Sequence, residues 1–227
     1  YGQADPQVLG ENLGILYDQE NRCFTLTFLG TVYHITYPDF QVSHEEDDKG
    51  FYPLEEMIYA KILTIRFLLN GMKSCGSGNF KTYREMPWGE VYLRQFDGRC
   101  IKRLAFTYGN RIGDFKKIME HIHAEPVKYG DIAYEVAIYP GYQIRMILWE
   151  GDEEFPPSSQ ILFSDNFQFL FTLVVKLRRR RIVTERIILR IVTSVQTDLQ
   201  PQHVFHHVEF VKITEISTGQ RHRDNFL

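Results

Sequence analysis

The sequence predicts an α+β fold: a mostly antiparallel sheet with covering helices. Three observations carry this. Short β-branched and aromatic runs follow one another through tight turns, at 23–28 and 31–37 and again at 132–138 and 143–149. Helical patterns at 53–70 and 114–123 stand apart from those runs instead of alternating with them, which argues against a doubly wound parallel sheet. Finally, 44% hydrophobic and 24% charged residues over 227 positions is globular composition, with room for one generous domain.

Along the chain, Leu29-Gly30 supplies the turn of the first hairpin, because glycine accepts the positive φ that a tight turn needs. The run His44-Glu45-Glu46-Asp47-Asp48-Lys49-Gly50 reads as a solvated loop, since a hard-cation loop spaces its ligands and this one does not. A helix is expected over 53–70. Pro53 suits its first turn, Glu55 and Glu56 complement its dipole, and Gly71 ends it. Leu54, Met57, Ile58, Ile62, Ile65, Leu68 and Leu69 give it an apolar stripe. The loop Cys75-Gly76-Ser77-Gly78-Asn79 lacks the Lys-Ser/Thr pair and preceding strand of a phosphate-binding loop.

Residues 80–96 read as short strands or an aromatic layer around Pro87-Trp88-Gly89. Helices are expected at 98–108 and 114–123, the second burying Ile112, Phe115, Ile118, Met119 and Ile122. His121 and His123, two apart on a helix, point to opposite sides and share no metal. Strands at 132–138 and 143–149 join at Tyr139-Pro140-Gly141-Tyr142. An acidic turn with two prolines then stops the ladder before a third strand at 158–163.

The net charge of −3 hides an asymmetry. Residues 1–170 carry 16 Lys+Arg against 24 Asp+Glu, whereas 171–227 carry 10 against 5. An acidic body disfavours nucleic acid as a partner there. Three cysteines, Cys23, Cys75 and Cys100, cannot all pair and show no CxxC spacing, which points to a reducing compartment. No apolar run approaches the roughly 20 residues of a membrane span, and Tyr1-Gly2-Gln3-Ala4-Asp5 gives no signal-peptide pattern. The expectation is a soluble, cytoplasmic domain over 1–170, followed by a basic segment over 171–227.

The run Leu148-Trp149-Glu150-Gly151-Asp152-Glu153-Glu154-Phe155-Pro156-Pro157-Ser158 resembles a bacterial family of domains of unknown function common in anaerobes. Gly130-Asp131-Ile132-Ala133-Tyr134, Leu162-Phe163, Leu68-Leu69-Asn70 and Tyr83-Arg84-Glu85-Met86-Pro87-Trp88-Gly89 fit the same layout, so the resemblance covers about 10–165. Some relatives carry a four-cysteine iron–sulfur module at the N-terminus. This chain has no such cluster, so the resemblance implies no cofactor, and it brings no catalytic residues. It implies a final helix of acidic and apolar residues after Phe163. The chain instead reads Lys176-Leu177-Arg178-Arg179-Arg180-Arg181. Glutamate codons read one base out of frame become Lys or Arg codons, so an out-of-frame tail is one expectation for 171–227.

Few residues offer chemistry. Asp131, Trp149, Glu150, Asp152, Glu153 and Glu154 form the candidate ligand site, as a metal site or acid/base pair, set against a plain solvated turn pinned by buried Trp149 and Phe155. His203, His206 and His207 would suit zinc or nickel on a helix, but their neighbours favour a strand and no third ligand is evident. The arginine run at 178–181 lacks interleaved aromatic residues and any reading motif for nucleic acid. No Gly-x-Ser-x-Gly elbow and no cysteine–histidine pairing mark a nucleophile. Three function classes follow: a binding or accessory module of anaerobic metabolism for an unknown small molecule or protein, an enzyme or metal-binding protein using the acidic turn, and an interaction subunit presenting the aromatic residues near Trp88.

Overall fold

The computed structural model describes residues 1–46, 50, 52–87 and 89–171. Trp88, the arginine run at 178–181 and the histidines His203, His206 and His207 lie outside the described residues.

Helix α1 (Pro6–Leu13) is capped by the Asp5 carboxylate, which accepts the N–H groups of Gln7 and Val8. Strands β1 (Leu16–Asp18), β2 (Cys23–Phe28), β3 (Thr31–Thr36) and β4 (Val42–His44) then pair in sequence order as a four-stranded antiparallel sheet. The period-two pattern is explicit: Phe24, Leu26 and Phe28 of β2 and Tyr33 and Ile35 of β3 are buried, while the residues between them face outward. Both residues of the connecting turn have positive φ, Leu29 at 51° and Gly30 at 76°, the geometry that matches the twist of a hairpin. His44, expected in a loop, instead closes β4. Its Nδ1 lies 2.7 Å from Glu55 Oε1 and its ring stacks on Tyr52 at 3.5 Å.

The helix expected over 53–70 is two helices, α2 (Pro53–Glu56) and α3 (Ile58–Asn70), because Met57 between them is extended (φ −101°, ψ 116°). One extended residue resets the helical phase, so the apolar stripe expected from the sequence does not form one buried face. Ile58 is exposed, and α3 buries Ala60, Leu63, Thr64, Phe67 and Leu68. Gly71 does not adopt the left-handed conformation of a helix stop. It is small because a side chain there would meet Phe67 and Leu13.

A second, five-stranded antiparallel sheet has the order β5-β9-β8-β7-β6, made of β5 (Phe80–Thr82), β6 (Glu125–Val127), β7 (Ile132–Tyr139), β8 (Tyr142–Trp149) and β9 (Ser158–Ser164). Two antiparallel sheets thus replace the single one expected, and the α+β class holds. They meet where Leu29 donates its N–H to Ile138 O and where the Phe28 and Tyr139 rings approach to 5.2 Å. Helix α3 seals the junction: Phe67 stacks on Tyr139 at 4.1 Å, and the Tyr139 hydroxyl hydrogen-bonds Thr64 Oγ1 at 2.8 Å. The β7–β8 turn needs Gly141, which has φ 81° and whose Cβ would lie 2.0 Å from Ser74 O.

The other face of the second sheet is covered by one continuous helical run and by α6 (Ile112–His121). The run comprises α4 (Gly89–Phe96), a five-residue π-turn (Asp97–Ile101) and α5 (Lys102–Tyr108). Its start at Gly89 precedes the expected position by nine residues, because 89–96, expected as short strands or an aromatic layer, are helical. The buried face of α6 is close to expectation, with Phe115, Ile118 and Met119 buried and Phe115 edge-on to Tyr134 of β7. The described chain ends in α7 (Gln168–Phe171). Among the described residues no helix is long and apolar enough to cross a membrane.

Candidate functional site

The acidic turn between β8 and β9 is organised by two of its carboxylates. Asp131, just before β7, donates its N–H to Leu148 O at 3.0 Å and accepts the Glu150 N–H at 2.8 Å. Asp152 Oδ1 accepts the N–H groups of Glu154 and Phe155 at 2.8 and 2.7 Å, and the Asp152 N–H closes the loop onto Phe155 O. This is an Asx turn, in which a short carboxylate takes the place of a backbone carbonyl. Glu150, Glu153 and Glu154 are exposed.

The two rings expected to pin this turn are not buried. Trp149 is 37% exposed and Phe155 67%. The reason is strand alternation: Leu148 takes the inward position at the end of β8, so Trp149 faces out. Pro157 does the pinning. A Cβ on Gly109, beyond the end of α5, would lie 2.1 Å from Pro157 Cβ, and one on Gly151 would lie 2.6 Å from Pro157 Cδ. The turn therefore packs onto the end of the helical run through a proline and two glycines.

The same helical run borders a cleft of about 290 Å³ where β5 and β9 pass beneath it. Its floor is apolar: Tyr83 and Phe96 stack at 4.1 Å with planes 10° apart, flanked by Leu93 and Ile161. Its polar groups are Arg84, Asp97, Ser159 and Gln160, with Thr82 at one side. The π-turn forms one wall. There the Lys102 N–H reaches back five residues to Asp97 O, and the Ser159 hydroxyl donates to Ile101 O at 2.7 Å. Such turns within α-helices are rare and recur at functional sites.

Tyr83 and Arg84 of the lining belong to a single 3₁₀ turn, Tyr83–Glu85. Glu85 Oε2 accepts both the N–H and the hydroxyl of Thr82 at 2.7 Å, and these two bonds hold its carboxyl below the usual range. Gly89 lets the following helix approach this turn, since a Cβ there would lie 1.8 Å from Tyr83 O. Asp97 has Lys102 Nζ at 3.4 Å.

Of the expected site residues, Glu150, Asp152, Glu153 and Glu154 lie in the turn, Trp149 ends β8 beside it, and Asp131 reaches it from the start of β7; the Asp131 and Asp152 carboxylates alone take part in its hydrogen bonds among the described residues. No group of three or more His, Cys, Asp or Glu residues converges among the described residues. The cleft escaped sequence reasoning because it joins β5 to β9, some eighty residues away, and only the Thr82–Glu85 capping spacing was a local signal. The model of a family described as a domain of unknown function (DUF3786) matches residues 5–173. Neither a curated protein nor a solved structure matches the chain.

Proposed function

The chain belongs to the DUF3786 family of domains of unknown function, and from that premise we propose that it is a binding module that takes a small molecule in the cleft beside the π-turn. One observation carries this reading: a helix departs from α geometry where a strand hydroxyl, Ser159, hydrogen-bonds it, beside a stacked Tyr83–Phe96 floor. An apolar cleft with a few placed polar groups is the usual form of a small-molecule site, and 290 Å³ stands at the small end of the range. The Ser159 hydroxyl already donates its proton to Ile101 O, which favours a supporting role over a nucleophilic one.

Fragment screening by two-dimensional NMR tests the reading. Hits should shift the amides of Phe96, Asp97, Ile101 and Ser159, and Leu93→Trp, which fills the cleft, should abolish them. Hits that survive Leu93→Trp would sink it.

A second reading places a ligand, a metal ion or a protein partner at the acidic turn. It is favoured by the exposed Trp149 and Phe155 rings beside Glu150, Glu153 and Glu154. Loss of a hit on Glu153→Gln or Glu154→Gln, with Leu93→Trp silent, would select it. A bacterial, anaerobic source, a cytoplasmic location, the Trp149–Pro157 run as the family's mark, and a domain over 1–170 with a separate basic segment belong to the same proposal.

A further inference from the structure

We infer that the cleft takes a small carboxylate carried on an apolar body, with Arg84 as its anchor; this rests on the cleft being the binding site. The charges in the lining decide the sign. Asp97 has its counter-charge in Lys102 at 3.4 Å. Arg84 has none: among the described residues no hydrogen bond, ion pair or ring contact engages its guanidinium. The carboxylate next to it in sequence, Glu85, is turned to Thr82 and held there by two bonds at 2.7 Å. The depressed pKa of Glu85 follows from those bonds to Thr82, with nearby Lys81 adding to them. The uncompensated charge at the rim of the cleft is therefore positive, and it favours an anionic group.

Arg84 is also placed to anchor. It is the central residue of the 3₁₀ turn Tyr83–Glu85, which is fixed by Thr82 at one end and by the close approach of Gly89 at the other. Little backbone freedom remains to be lost when a ligand binds, and a guanidinium presents a planar fork that matches two carboxylate oxygens. The body of the ligand follows from the floor. Half-buried Tyr83 and Leu93 offer apolar surface, backed by buried Phe96 and Ile161, around a cleft of about 290 Å³. That space suits one ring or a short branched chain bearing one carboxylate.

Titration with phenylacetate and with phenylacetamide, the same body without the charge, tests the inference by NMR shift mapping. Phenylacetate should bind about tenfold more tightly than the amide to the native chain, as one charge-assisted bidentate pair warrants. The preference should collapse to near equality in Arg84→Gln, and Arg84→Lys should restore it only in part. High salt should weaken the acid and leave the amide unchanged. Arg84 is exposed, so the thermal transition should be the same in all three proteins. Equal binding of acid and amide to the native chain would overturn the carboxylate inference and leave the cleft standing. Binding of neither, or binding untouched by Leu93→Trp, would overturn both.

Discussion

The Ser159 hydroxyl donates to the carbonyl oxygen of Ile101 at 2.7 Å, and this one bond ties the start of β9 to the π-turn of the helix above it. Ser159→Ala should cost about 1 kcal/mol in urea denaturation, the usual worth of such a bond. It should also weaken any cleft ligand, because the wall loses its tie to the strand. A Ser159→Ala protein with lowered stability and unchanged ligand affinity would make the bond purely architectural.

In the acidic turn, Asp152 holds two N–H groups and Phe155 stands in solvent. Asp152→Ala should therefore destabilise by about 1 kcal/mol. Glu153→Gln and Glu154→Gln should stay within about 0.5 kcal/mol, and Phe155→Ala should cost less than about 1 kcal/mol. Chemical denaturation of the four variants gives the ranking. A loss of about 3–5 kcal/mol at Phe155 is the signature of a buried ring, and finding it would contradict the exposure described.

Asp165 follows β9 and accepts the N–H of Ser77 at 3.0 Å and the Ser77 hydroxyl, which lowers its pKa below the ordinary 3.8. A carboxyl with a depressed folded pKa contributes stability that is present above the unfolded value of about 3.9 and lost as pH falls through the folded one. Asp165→Asn should thus flatten the fall in stability below about pH 4. Ser77→Ala should move the Asp165 titration, read by NMR, back toward its ordinary value; an unmoved titration would refute the tie. Tyr108 has the opposite sign. Burial pushes its pKa up to about 12, so its contribution is present below about pH 10 and lost as pH rises through the folded value.

Among the described residues, both sheets and a buried core cluster lie within 1–171. Truncation after Phe171 should accordingly leave a cooperative thermal transition close to that of the full chain. Loss of that transition would show that residues 172–227 complete the core. The nucleotide sequence of the gene tests the frame separately: if neither alternative frame yields an acidic, apolar helix after Phe169, the out-of-frame reading falls.

The sequence alone determined the pieces whose logic is local. Alternation and a Leu29-Gly30 turn specify β2 and β3, because side chains of a half-buried strand must face opposite ways and the hairpin twist needs positive φ. The β-branched and aromatic runs of β7, β8 and β9 and the 3.6-residue spacing of the buried face of α6 are local in the same sense. The acidic turn was legible as a turn, because Trp149, Glu150, Asp152, Glu153 and Glu154 fall within six positions around Gly151 and the two prolines that follow stop the ladder. Tertiary structure alone decided what depends on distant partners. Met57 breaks the first long helix and turns a different face, Leu63, Thr64 and Phe67, toward Tyr139. Phe155 stays in water because Pro157, seated on Gly109 and Gly151, has already closed the turn. The cleft exists only because β5 pairs with β9 across some eighty residues and Ser159 meets Ile101 from another element. Periodicity reports which side of an element is apolar, but it carries no information about which other element will come to lie against it.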